Sequence, residues 1–119
     1  MANAEETIKE LMMIDGAIAA IIADSDSGLV LASQSKGFDT DTAAAGNTRV
    51  VLAKRDTMRM LGLDDKIEDI LITLGKQLHL IAPWHKNDAI FAYLVVDRVG
   101  SNLGMARAQL SSAVSTLTI

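Results

Sequence analysis

Ala17-Ile-Ala-Ala-Ile-Ile-Ala23, Asp24-Ser-Asp-Ser-Gly28 and Leu29-Val-Leu-Ala-Ser33 follow one another without interruption, and this run decides the fold. Seven successive apolar residues bounded by turn formers describe a strand that is covered on both faces. The Asp/Ser/Gly cluster is a turn, because short polar side chains bond the nearby backbone and glycine tolerates unusual dihedrals. The second apolar run then returns antiparallel to the first, which makes residues 17–33 a hairpin. A doubly covered strand needs helices on both sides of its sheet, so the rest of the chain must supply them.

Working outward, Ala4, Ile8, Leu11 and Met12 recur at helical spacing, and Asp15-Gly16 ends that helix before the hairpin begins. Downstream, Asp39-Thr-Asp-Thr42 offers capping oxygens to a long helix that runs to about Leu61. Gly62 suits the left-handed position after that helix, with Leu63 closing on Met58. Lys66 to Thr73 reads as a third strand, Leu74 to Gln77 as a turn, and Leu78 to Ala82 as a fourth strand. Pro83 to Asp88 reads as a polar loop, and Ala89 to Val96, apolar throughout, as a central strand. Ser101 or Asn102 caps a last helix whose core stripe is Leu103, Ala106, Leu110, Ala113, Val114 and Leu117. The order is αββαβββα, an α+β class with one five-stranded antiparallel sheet and helices on both faces. Residues 1–119 form a single domain, with no repeat or linker.

Composition excludes several functions. The chain has no Cys, which removes disulfides, thiolate metal sites and a cysteine nucleophile. A net charge of −4 is the wrong sign for binding nucleic acid phosphates, and Phe38, Trp84, Phe91 and Tyr93 are too few for a stacking platform. Glu5 and Glu6 stand where a signal peptide is basic, and no apolar run approaches the ~20 residues that span a bilayer. A reducing cytoplasmic location with no membrane insertion is the expectation.

Catalytic constellations are missing too. His79 lies in a strand, pointing to solvent or a subunit interface, and His85 lies in a loop; no carboxylates at ligand spacing accompany them, so no metal site is expected. No serine has the setting of a nucleophile. Asp24-x-Asp26-x-Gly28 lacks the later ligands of a calcium loop. Gly75-Lys76 lacks the upstream glycine of a phosphate loop. No catalytic residue and no cofactor is assigned, and the protein is read as a non-enzyme.

The middle helix carries more information. Asn47 to Leu63 holds Arg49, Lys54, Arg55 and Arg59 against Asp56 alone, inside an acidic chain. Arg49, Arg55 and Arg59 are candidates for docking an acidic partner, the alternative being an ordinary solvated face. Val50, Val51, Ala53, Met58, Met60 and Leu61 spread over more than one side of the helix, beyond the needs of one sheet face. That excess predicts a second buried surface, between two copies of the chain.

Ile14-Asp-Gly-Ala-Ile-Ala-Ala-Ile-Ile-Ala-Asp24 with Ser27-Gly-Leu-Val-Leu-Ala-Ser33 resembles the roadblock / dynein light-chain family. So do Ile70-Leu-Ile-Thr-Leu-Gly-Lys-Gln-Leu-His-Leu-Ile-Ala-Pro83 and Ala89-Ile-Phe-Ala-Tyr-Leu-Val-Val-Asp97 with Ser101-Asn-Leu-Gly-Met-Ala-Arg107. The resemblance covers about Thr7 to Val114 and is nearest to the short prokaryotic, MglB-like members. It implies a profilin-like fold and a homodimer in which the middle helices pack together and the third strands pair. Here that assigns the interface to Val50, Val51, Lys54, Met58, Leu61, Ile67, Ile70 and Ile72. It also implies docking of a small Ras-like GTPase whose nucleotide state or location is regulated. A GTPase-independent dimeric scaffold for motility, motor or signalling proteins is the alternative, and a small-ligand sensor a third.

Overall fold

A computed structural model describes all 119 residues. Helix α1 spans Ala4–Met12, β1 Ala17–Asp24, β2 Leu29–Ser35, α2 Thr40–Met60, β3 Ile70–Thr73, β4 Gln77–Trp84, β5 Asn87–Asp97 and α3 Leu103–Ser115. The strands form one antiparallel sheet in the order β2-β1-β5-β4-β3. This is the α+β arrangement that the sequence predicts.

Local chemistry sets the boundaries. Asn3 caps α1 in a reciprocal box with Glu6, its Oδ1 accepting from the Glu6 N–H at 2.8 Å. Asp39 caps α2 by accepting from the N–H and the hydroxyl of Thr42. At the other end of α2, Gly62 turns left-handed (φ 68°), its N–H donates to Arg59, and Leu63 N–H donates to Met58 at 2.9 Å. Those two bonds are the expected Schellman closure. Asn102, rather than Ser101, caps α3.

The sheet separates two cores. On one face α1 and α3 cover Ala20, Ile22, Leu80, Leu94 and their neighbours. On the other, α2 lies across β1 and β2 over Ala19, Ile21, Phe91 and Tyr93. β1 and β5 are buried on both faces, as their uninterrupted apolar runs require. At one end of β1, Gly16 (φ 81°) approaches Gly100 so closely that a Cβ would lie 3.0 Å from the Gly100 carbonyl oxygen.

Two boundaries differ from the sequence reading. β3 begins at Ile70, not Lys66, and the cause lies across the ladder. Leu74 N–H donates to the Gln77 carbonyl, so the hydrogen-bonded pairs recur at Ile72/His79 and Ile70/Ile81. The next such pair would join Glu68 to Pro83, which has no N–H to give. Residues 66–69, including Ile67, therefore leave the sheet. The expected loop Pro83 to Asp88 is instead a two-residue turn at His85-Lys86 between paired Trp84 and Asn87. A register shift at Pro83/Trp84 takes up the twist, since no residue other than glycine has positive φ.

Candidate docking surface and its structural relatives

Helix α2 is long, but it meets the sheet through small side chains. Its buried residues are Ala44, Thr48 and Val51, one stripe at i, i+4, i+7. The Thr48 hydroxyl donates back to the Ala44 carbonyl at 2.8 Å, which satisfies it inside that contact. Larger apolar side chains stay outside: Met60 is 78% exposed, Leu61 66%, Leu63 52% and Leu52 40%. At 100° per residue Leu52 and Leu61 lie on opposite sides of the helix axis, and Leu61 shares its flank with Val50, Lys54 and Met58.

The eight residues assigned to a self-interface divide into three groups. Lys54 and Leu61 are exposed, and Val50 and Met58 are half-buried on the flank of α2. Ile70 and Ile72 are half-buried on the outermost strand, on the sheet face that α2 covers. Val51 is completely buried against the chain's own sheet and has no surface to offer. Ile67 leaves the strand and lines a cleft instead.

The three arginines do not form one strip. At 100° per residue Arg49 lies roughly 120° round the helix from Arg55 and roughly 80° from Arg59. Arg55 turns inward, where its guanidinium donates to the Asp88 carbonyl, and its side chain is only 19% exposed. Arg59 pairs with Asp56 on the same helix, both ends in solvent. Arg49 alone projects freely.

Arg55 and Arg59 open onto a cleft of about 1000 Å³. It lies between the end of α2, the connection to β3, the His85-Lys86 turn and α3. Its apolar lining includes Trp84, Leu110, Val114 and Met58. Lys86 Nζ sits 5.9 Å from the centre of the Trp84 ring, within cation–π range. Across the cleft Arg107 grips Asp69 with two bonds of 2.9 and 3.0 Å, tying the start of β3 to α3. No local sequence pattern announces this cleft, because its walls come from four separate segments; its one local signal is Pro83, which forbids a longer β3.

His79 is the other feature missed. Rather than pointing to open solvent, it is half-buried on the α2 side of the sheet, its Nδ1 2.6 Å from the Tyr93 hydroxyl and its Nε2 2.9 Å from Gln77 Oε1. The two side chains are diagonal neighbours, since Tyr93 pairs with Ile81, two residues on from His79. Phe38 closes on the imidazole edge-on at 6.2 Å. Burial holds the His79 pKa below its ordinary value and the Tyr93 pKa above its own, so both favour their neutral forms, joined by a hydrogen bond between the phenol and Nδ1. Desolvation is the one cause of the His79 shift.

No three His, Asp or Glu side chains converge on a point that could hold a metal ion. No helix is long and apolar enough to cross a membrane.

No family model and no curated protein matches the chain. Solved structures do. A Roadblock/LC7 domain from Streptomyces avermitilis superposes with a TM-score of 0.83 at 14% identity, over 97% of this chain and 94% of that one. An MglB described as having a tetrameric arrangement gives 0.78 at 20% identity, over 92% and 80%. The gliding protein MglB of Thermus thermophilus gives 0.70 at 20% identity, over 92% and 87%. Identities this low speak for architecture, and over nearly its whole length the chain has the roadblock/LC7 fold of the MglB proteins.

Proposed function

We propose that the protein performs no chemistry of its own and acts as a homodimeric regulator or adaptor that docks a small Ras-like GTPase. The observation that carries this reading is α2, which packs small residues inward and leaves Leu61, its exposed C-cap, on the same flank as half-buried Val50 and Met58, on a roadblock fold. Two copies joined through α2, and through the free edge of β3 beside Ile70 and Ile72, would cover that apolar surface and remove an open strand edge. One structural relative is described as tetrameric, which supports self-association as a use of this fold. Arg49, outside the chain's own ion pairs, is the residue of the basic set best placed to meet an acidic partner. In this reading any effect on GTP hydrolysis comes from repositioning the GTPase's own groups. A cytoplasmic site of action follows from the same reading.

The test is affinity capture from native lysate on the immobilised protein, with GDP and a non-hydrolysable GTP analogue in parallel. A Ras-like GTPase retained mainly in one nucleotide state is the expected result. Equal capture in both states, or capture of other proteins only, replaces the regulator with a GTPase-independent scaffold.

A further inference from the structure

Residues 64–69 are Asp-Asp-Lys-Ile-Glu-Asp, four acids and one base within six positions. None of them makes a main-chain to main-chain hydrogen bond; Lys66 N–H bonds only the Asp65 carboxylate. Pro83 keeps this strap out of the sheet, and the Arg107–Asp69 pair holds its far end. The strap forms one lip of the cleft. Facing it from α2, the β4–β5 turn and α3 are Arg55, Arg59, His85, Lys86 and Arg107, with Asp88 the acid among them. One lip is therefore acidic and the opposite wall basic, and the floor between them is apolar.

The geometry points to this cleft as the docking groove for an acidic, leucine-bearing peptide segment of a partner protein, with the strap as its built-in competitor. Charge complementarity selects the acidic segment: the basic wall carries Arg55, Arg59, Lys86 and Arg107, of which Lys86 has no carboxylate partner and the other three face Asp88, Asp56 and Asp69. Leu63, which is exposed, and the half-buried Met58 and Ile67 give apolar side chains of that segment a place to bury, and the cleft is at the upper end of the usual size for ligand sites. The ion pairs already present do not bar entry. Arg59–Asp56 is solvent-exposed at both ends, and the Arg107 side chain is half exposed, so both exchange partners at small cost. The strap carries the chemistry of the incoming segment and is tethered beside the wall at high effective concentration. An incoming carboxylate competes with Asp69 for Arg107, and the strap's lack of main-chain bonds lets it give way. The proposal shares Arg55 and Arg59 with the GTPase reading and Met58, Leu63 and Ile67 with the apolar surface of the self-association reading, but its test uses no GTPase and reads peptide binding rather than mass, so either can fail without the other.

Trp84 is the chain's one tryptophan, and its emission reports on the cleft directly. The full chain is titrated with a short blocked peptide of Asp, Glu and Leu and with its Asn/Gln/Leu counterpart, by fluorescence and by calorimetry. The acidic peptide is expected to change Trp84 emission, and the neutral one to bind at least about tenfold more weakly. Lys86→Glu with Arg59→Glu, both exposed and checked for an unchanged circular dichroism spectrum, should weaken the acidic peptide by about tenfold or more. Asp65→Asn with Glu68→Gln should tighten it. Equal binding of the two peptides, indifference to Lys86→Glu with Arg59→Glu, weaker binding after neutralising the strap, or no heat and no emission change at millimolar peptide each overturns the proposal.

Discussion

Leu61→Lys puts the proposed self-interface to a quantitative test. Leu61 ends α2 and is 66% exposed, so within one chain it makes little contact. Fully burying a leucine is worth about 1.5–3 kcal/mol, and two-thirds of that is about 1–2 kcal/mol. In a symmetric dimer the same residue counts once on each subunit, which brings the loss to about 2–4 kcal/mol. At about 1.4 kcal/mol per factor of ten, the dimer dissociation constant should rise roughly 30- to 700-fold, and more where the ammonium group is desolvated. Lysine suits this position in the monomer, because a cation near a helix C-terminus is favourable by about 0.3–1 kcal/mol. A loss of association therefore cannot be mistaken for a loss of fold. Sedimentation velocity over a range of concentrations reads the result, with urea melts on the same samples. Wild-type protein sediments as a dimer and the variant shifts towards the monomer at equal or higher stability. An unchanged mass distribution refutes the α2 flank as the seam.

Two further perturbations probe the scaffold. Gly62→Ala meets open space and bears only the left-handed backbone cost of about 1–2 kcal/mol, whereas Gly16→Ala adds a collision with the Gly100 main chain worth about 1–3 kcal/mol more. Equal losses in urea would show that the Gly16–Gly100 approach is not tight. For His79, burial favours the neutral form, so below its ordinary pKa of 6.5 the unfolded chain takes up a proton more readily than the folded one. Stability should then fall as pH drops through 6.5, levelling once the folded imidazole also protonates, and His79→Gln should remove that slope. Parallel pH profiles for wild type and variant would rule out the desolvated imidazole as its source.

The features legible in the sequence are those fixed by neighbours in the chain. The hairpin at 17–33, the Gly62 closure of α2 and the Leu103–Leu117 stripe each depend on residues a few positions apart. The features that escaped it depend on pairing across the sheet. Lys66 to Asp69 looks like strand until Pro83 falls opposite Glu68 and withholds a donor. His79 reads as an outward residue until the register sets it diagonal to the Tyr93 hydroxyl. In α2 the difficulty is one of size. Val50 and Val51 are equally apolar, and only the choice of Ala44 and Thr48 as inward neighbours places Val51 in the core and Val50 on the flank.

That choice also links the fold to the proposed function. Small residues at the contact let α2 approach β1 and β2 closely, and the helix cannot then cover the far side of the same sheet face. Ile70, Ile72 and His79 on β3 and β4 are left half-buried, next to a helix whose larger apolar residues point away. A chain built only to be stable would have placed Leu52 or Met60 inward and used them to finish that face. This one keeps them outside, at the expense of its own core. The same close seating brings the end of α2 beside the β4–β5 turn, where Arg55 reaches the Asp88 carbonyl and the basic wall of the cleft is assembled. The apolar flank and the basic wall are thus two consequences of one packing decision. Leu61 lines no part of the cleft and Lys86 no part of the assigned seam, so Leu61→Lys should separate the subunits while leaving the cleft competent for an acidic peptide, and Lys86→Glu should do the reverse.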